Sequence, residues 1–238
     1  MTFASPLIHG KLIKRYKRFL ADIQLDDGSI VVAHCTNSGS MKSCLETNAE
    51  VYLSKSNNLN RKTKFTWEMI KINDKWVGIN TLNPNIIAAQ AISNKEIPGL
   101  DMYDKVTREV RFGESRLDIL AENSFEKCAI EVKNVTLKEG RFALFPDAKT
   151  ERGLKHLKTL MQLKQNGKRA VMLYIIQRID VEIFAPAHEI DPEYAQTLIE
   201  AEKNGVEIFP VQVIVTPEKI EILKKINYQL CTLNTSIS

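Results

Sequence analysis

Residues Glu114–Lys133 read ESRLDILAENSFEKCAIEVK, and this stretch decides how the second half of the chain folds. Both of its halves alternate as strands do. In SRLDIL, Leu117 and Ile119 face one way while Arg116 and Asp118 face the other; in AIEVK, Ile130 and Val132 oppose Glu131 and Lys133. Twelve residues separate Asp118 from Glu131. A hairpin folding back about Ser124-Phe125 sets the two carboxylates opposite each other, with Cβ atoms roughly 4.5–5.5 Å apart. That spacing lets both grip one hard cation, and Lys133 adds an ammonium on the same face. Two carboxylates, a divalent metal and a lysine are the working parts of metal-assisted phosphodiester hydrolysis. The same residues would also serve as cross-strand ion pairs on a solvated face, and residue chemistry alone leaves the two readings level.

Outward from the hairpin, the pattern is mixed α/β. NPNIIAAQAISN predicts a short helix with Asn83 as its N-cap and Pro84 at the first helical position. VTREVRF, SRLDILA and CAIEVKNV predict three antiparallel strands. TERGLKHLKTLMQLKQNG is amphipathic, with Leu154, Leu157, Leu160 and Met161 on its buried side and Gly167 ending it. RAVMLYIIQ is nearly continuous in apolar residues, as a strand covered on both faces requires. DPEYAQTLIEAEKNG predicts a last helix, VEIFPVQVIV a strand closing the sheet, KIEILKKINYQL an edge strand, and CTLNTSIS a frayed tail.

The first eighty residues read instead as strands: FLADIQL and SIVVAHC around the turn Asp26-Asp27-Gly28, then EVYLSK, FTWEMIKI and KWVGINT, the last two joined at Asn73-Asp74. Five short strands predict a small barrel, OB-like or SH3-like. The division expected is therefore 1–80 for the barrel and 81–238 for the α/β domain. Positive charge is concentrated in the first part, with 12 Lys/Arg against 7 Asp/Glu in residues 1–80 and 21 against 22 in the remainder. That asymmetry suits contact with a polyanion. Cys35, Cys44, Cys128 and Cys231 lack CxxC spacing, which argues against a zinc site and points to a reducing cytoplasm. No apolar run approaches a membrane span or a secretory signal, and no heptad demands a dimer.

Cations lie among aromatics at two places in the barrel. Arg15, Lys17 and Arg18 interleave with Tyr16 and Phe19, and Arg61, Lys62 and Lys64 precede Phe65 and Trp67. Cations neutralise phosphates and aromatic faces stack on bases. If these rings are barrel core instead, only the charges face water, and that is the expectation for Phe19 and Phe65. The turn Asn37-Ser38-Gly39-Ser40 offers backbone N–H groups to an anion. On the amphipathic helix, Arg152, His156 and Thr159 fall on one polar stripe opposite the leucines.

Eight ordered segments give the chain a specific resemblance: RYKRFLAD (Arg15–Asp22), HCTNSGSM (His34–Met41), RKTKFTWE (Arg61–Glu68), GINTLNPN (Gly78–Asn85), FGESRLD (Phe112–Asp118), IEVKNVTL (Ile130–Leu137), FPDAKTERGLKHL (Phe145–Leu157) and RAVMLYIIQR (Arg169–Arg178). Through them the chain resembles the SfsA family, the sugar fermentation stimulation protein A homologues, over nearly its full length. The resemblance implies an α/β (α+β) protein with an N-terminal OB-like five-stranded barrel and a C-terminal domain similar to PD-(D/E)XK nucleases. It also implies sequence-non-specific DNA binding, with RNA as an alternative polymer, and a role in regulating sugar (maltose) utilisation.

On these residues, Asp118 and Glu131 would be the metal carboxylates and Lys133 would orient the attacking water and stabilise charge on the phosphate. The cofactor implied is Mg²⁺ or Mn²⁺. The contact set implied for nucleic acid is Arg15, Lys17, Arg18, Asn37, Ser40, Arg61, Lys62, Lys64, Trp67, Arg152 and His156. Where this nuclease fold often carries a glutamate on its first helix, the chain has Gln90, which favours one metal over two; Glu114 is the nearest substitute. Three functions follow: a metal-dependent nuclease, a DNA-binding regulator that keeps the nuclease fold without cutting, and a small-molecule enzyme of sugar metabolism. The last finds neither a Gly-rich cofactor loop nor a Ser/His/Asp arrangement to support it.

Overall fold

The computed structural model describes residues 1–58, 60–112 and 115–230. Its N-terminal part is a closed barrel of β1 (Ile8–Tyr16), β2 (Leu20–Leu25), β3 (Ile30–His34), β4 (Glu50–Lys55) and β5 (Phe65–Ile72). Antiparallel neighbours run β3-β2-β1-β4-β5, and a short parallel pairing of β3 with β5 closes the ring. The barrel has five strands as expected, but its membership differs. KWVG forms β6 (Lys75–Gly78), a hairpin extension of β5, and the fifth barrel strand is IHGKLIKRY. Only Gly10 and Leu12 of that strand are buried, so its sequence carries almost no apolar alternation.

The second part is a mixed six-stranded sheet. β7 (Lys105–Phe112), β8 (Ser115–Glu122) and β9 (Lys127–Val135) form the antiparallel meander; β12 (Arg169–Ile176) and β14 (Glu207–Val215) continue it in parallel, and β15 (Ile220–Lys225) is the antiparallel edge. α1 (Asn83–Ser93) covers one face, where Ile87 and Ile92 pack with Ile119, Ile130, Val171 and Leu173. α2 (Glu151–Gln165) and α3 (Pro192–Lys203) cover the other, where Leu157, Leu160 and Leu198 pack with Ala129, Met172 and Tyr174. Alternate residues of β12 thus enter two different cores, which is why its sequence reads as an unbroken apolar run. A small sheet of β10 (Leu137–Glu139), β11 (Phe142–Phe145), β13 (Ile183–Pro186) and β16 (Asn227–Tyr228) was not anticipated; strands of two to four residues are too short to show a period.

Two buried polar groups lock the parts together. Glu68 in β5 accepts from Asn80 Nδ2 at 2.8 Å and Asn83 Nδ2 at 3.0 Å. Asn83 is therefore a tether to the barrel rather than the α1 N-cap, which is Leu82 with no side-chain cap. Arg178, 1% exposed, donates to Thr136 O, to Ser43 Oγ in the barrel and to both oxygens of Asp180. Cys35, Cys44 and Cys128 are free and buried, and no helix among the described residues is long and apolar enough to cross a membrane. Glu114 and the tail from Cys231 lie outside the described residues.

Candidate metal centre and cleft

The β8–β9 hairpin turns where Asn123 Oδ1 accepts the N–H groups of Phe125 and Glu126, both at 2.9 Å. Its register runs from Glu122↔Lys127 to Ile119↔Ile130, so the next step sets Asp118 beside Glu131, as the spacing predicts. The ladder stops there. Instead of pairing through the backbone, Val132 N donates to Asp118 Oδ2 at 2.9 Å, and Asn85 Nδ2 of α1 reaches Asp118 Oδ1 at 3.0 Å. Across from Asp118 on β7, Glu109 has φ 59°, a conformation uncommon for any residue but glycine. The sheet is distorted at the point where a carboxylate must turn out of it.

α2 brings the third member. Thr150 caps it by accepting from Gly153 N at 3.0 Å, and Thr150 N is itself held by Asp191 Oδ2. With Leu157 and Leu160 buried against the sheet, His156 meets Glu131 and Lys133 of β9. Its Nδ1 lies 2.5 Å from Glu131 Oε2 and 2.9 Å from Lys133 Nζ. One ring nitrogen cannot donate to the carboxylate and accept from the ammonium at once, and Glu131 Oε2 is left buried without a directed donor. Lys133 Nζ is 3.8 Å from the same oxygen, and Arg152 Nε approaches His156 Nε2 at 3.4 Å.

The electrostatics suit a cation-binding group. Burial pushes Glu131 above the ordinary carboxylate range despite His156 and Lys133, with Asp118 adding repulsion. Burial likewise raises Asp118, but Lys133, the Val132 N–H, Glu131 and Asn85 outweigh it and hold the group below its ordinary value. Lys133 is pushed down by its own burial. Asp118, Glu131 and His156 present ligand atoms within 4.8 Å of one another, so they form a group able to hold a metal ion. A buried carboxylate oxygen packed between a second carboxylate and an imidazole is what such an ion would satisfy.

A cavity of about 440 Å³ opens beside this centre, with Lys133 and Arg152 on one wall and Thr36, Ser38 and Gly39 of the barrel on another. The barrel loop is clamped against the α2 lead-in: a Cβ on Gly39 would collide with the Asp147 carboxylate, which also accepts from Met41 N at 3.4 Å. Burial raises the Asp147 carboxyl, partly offset by backbone N–H groups and Arg15.

Of the predicted contact residues, the structure gathers Arg152 and His156 at the centre and Arg18 and Asn37 on the cavity wall. Arg15 braces that wall from behind, donating to Asn37 O, Gly39 O and Arg18 O. Asn37 is 5% exposed, and its Oδ1 holds Gly39 N, so its side chain builds the turn. Ser40 Oγ is buried without a partner, and Lys17 is exposed on the β1–β2 turn. Arg61, bonded to Thr66 Oγ1, and the exposed Lys62 and Lys64 lie at the start of β5, away from the cavity's described lining.

Four expectations are corrected. Trp67 is wholly buried in the barrel with Nε1 bonded to Met69 O, so it cannot stack on a base. Phe19, expected in the core, is 48% exposed. Gln90 faces solvent near β15; the α1 residue at the centre is Asn85, an amide, one turn nearer the helix start. Thr159 spends its hydroxyl on Lys155 O and does not join the stripe's function. Asn85 and Asp147 went unnoticed because a lone Asn or Asp beside a proline reads as ordinary turn chemistry.

Comparison with known proteins places these residues in a family. The model for the SfsA N-terminal OB domain matches residues 13–79, and that for the sugar fermentation stimulation protein RE domain matches 82–219. A sugar fermentation stimulation protein homolog of Geobacter metallireducens is 49% identical over 95% of this chain and 98% of its own length. One from Geotalea uraniireducens is 48% identical over 97% of this chain and 100% of its own. The solved structure of Pyrococcus furiosus SfsA in complex with Ca²⁺ superposes with a TM-score of 0.87 at 28% identity, covering 96% of this chain and 98% of that one.

Proposed function

Because this chain belongs to the sugar fermentation stimulation protein (SfsA) family, we propose that it binds DNA without sequence preference and hydrolyses phosphodiester bonds with one divalent cation at Asp118, Glu131 and His156. The observation that carries this reading is the convergence of Asp118, Glu131 and His156, whose ligand atoms lie within 4.8 Å of one another beside Lys133. A carboxylate pair facing an anionic polymer repels it unless a cation lies between them. Two carboxylates and one imidazole suit Mn²⁺, with Mg²⁺ the alternative. The Ca²⁺ complex of the P. furiosus relative is consistent with a hard cation in this fold. When bound, such an ion supplies Lewis-acid polarisation of a phosphoryl oxygen and a more acidic water.

The protein's own groups do the remaining work. The Val132 N–H and Asn85 amide fix both oxygens of Asp118, so the carboxylate is oriented before any ligand arrives. Lys133, its ammonium form weakened by burial, orients the attacking water and meets charge developing on the phosphate. Arg152, whose Nε lies 3.4 Å from His156 Nε2, offers a cation to a neighbouring phosphate. Asn85 where a carboxylate could stand leaves one cation site, not two.

Purified protein with end-labelled DNA should cut in Mn²⁺ and be inert in EDTA. Asp118→Asn and Lys133→Ala should each lower the rate at least 100-fold. Cleavage that survives both substitutions sinks this assignment, and DNA binding without cleavage in either metal selects the regulator instead.

A further inference from the structure

Phe19 is an exposed aromatic ring in the β1–β2 turn, and nothing in the proposed hydrolysis uses it. Its ring lies near parallel to that of His34, with centroids 6.4 Å apart and planes 18° apart, so the two present one extended aromatic surface. The adjacent residue, Arg18, lines the cavity that ends on Lys133 and Arg152.

The turn between β1 and β2 is held in an uncommon shape. Lys17 has φ 48° and Arg18 has φ 63°, two consecutive left-handed residues in the three-residue loop between the paired Tyr16 and Leu20. Long cationic side chains at such positions are a strain that plain turn formation does not call for. Arg15 stabilises the arrangement, bonding Arg18 O at 3.0 Å, Asn37 O at 2.8 Å and Gly39 O at 3.0 Å. One guanidinium therefore makes the Lys17–Phe19 turn and the Asn37–Gly39 loop a single preformed wall. Phe19 is fixed in turn, its N–H on Lys17 O and its carbonyl accepting from Cys35 N, both at 2.8 Å.

Size narrows what passes along this wall. A cavity of about 440 Å³ takes a nucleotide or two of one strand. Its cations, Arg18, Lys133, Lys149 and Arg152, match a phosphodiester backbone.

We propose that the Lys17–Phe19 turn feeds a single DNA strand into the cleft, with an unpaired base stacked on Phe19 and the adjoining phosphate on Arg18. Single-stranded DNA, or a single-stranded extension of a duplex, is then the preferred substrate class. This assignment rests on the nucleic-acid reading of the cleft. Binding measured in EDTA keeps it separate from turnover.

Fluorescence polarisation of wild type, Phe19→Ala and Phe19→Trp decides it, using labelled oligo-dT, an abasic strand of the same length and a blunt duplex. Wild type should prefer oligo-dT to both other probes. Phe19→Ala should weaken oligo-dT binding roughly 5- to 150-fold, the range for loss of one base stack. The same variant should bind the abasic strand as wild type does, and Phe19→Trp should restore the affinity. Equal oligo-dT binding by wild type and Phe19→Ala, or an equal loss on the abasic strand, overturns the stacking role. Failure of wild type to bind any of the three probes, in EDTA and in Mn²⁺ alike, refutes the nucleic-acid reading itself. Phe19 is exposed, so its variants keep the barrel core, which matching thermal melts verify.

Discussion

At Glu131 burial raises the carboxyl, His156 and Lys133 pull it back, and one oxygen still lacks a directed donor. An under-solvated buried charge costs stability, and a cation that binds only the folded state returns it. Glu131→Gln should therefore melt about 2–4 °C above wild type in EDTA, equivalent to roughly 1 kcal/mol at this chain length. In Mn²⁺ the order should reverse, because wild type gains stability and the variant does not. A variant that melts lower in EDTA, or responds to Mn²⁺ like wild type, would remove Glu131 from the metal centre. Gly39 allows a second test at this scale. A methyl group there meets the Asp147 carboxylate, so Gly39→Ala should cost about 1–3 kcal/mol of stability by overpacking. It should also weaken DNA binding, since the displaced loop forms a cleft wall. Urea unfolding together with binding titrations reads both effects.

Among the elements, α2 determines whether His156 and Arg152 face the centre, and Thr150 determines where α2 begins. Thr150→Ala should cost about 1 kcal/mol through the lost cap, with Thr150→Ser close to wild type in denaturant midpoint. This helix, the hairpin and its register were all legible in the sequence. Leu157 and Leu160 mark a helical face, and the Asp118–Glu131 pairing follows from counting across a turn. β1 was not legible, because Lys11, Lys14 and Arg15 interrupt its apolar pattern on a strand whose neighbours bury only Gly10 and Leu12. The site was half legible. Carboxylates and Lys133 announce themselves by type, and His156 by its offset of four from Arg152. Asn85 and Asp147 become meaningful only once tertiary packing sets them against Asp118 and Gly39.

Across the whole molecule, barrel and sheet meet on buried ionic groups. Arg178 is held by Asp180, whose carboxyl is pushed up by burial but drawn down to about 2 by Arg178 and Lys138. A carboxyl depressed on folding stabilises the protein above its unfolded pKa, near 3.8, and that contribution fades as pH falls toward 2. Stability measured by urea unfolding should thus drop between pH 4 and 2, and Asp180→Asn should flatten that part of the slope. The variant should also be weaker at pH 7, by about 3–5 kcal/mol, since it strands a buried guanidinium. An unaltered acid slope would show that Asp180 does not contribute.

Because one wall of the cleft comes from the barrel and the opposite one from the lead-in to α2, the two halves of this chain share a fit that neither contains alone. Gly39 has no side chain so that Asp147 can occupy its space, and Arg15 holds both the loop and the turn at the mouth. Exchanging barrels between relatives is then a test of compatibility. A chimera should keep its cleft only when the incoming loop leaves room for the resident carboxylate, so these distant positions are constrained to change together.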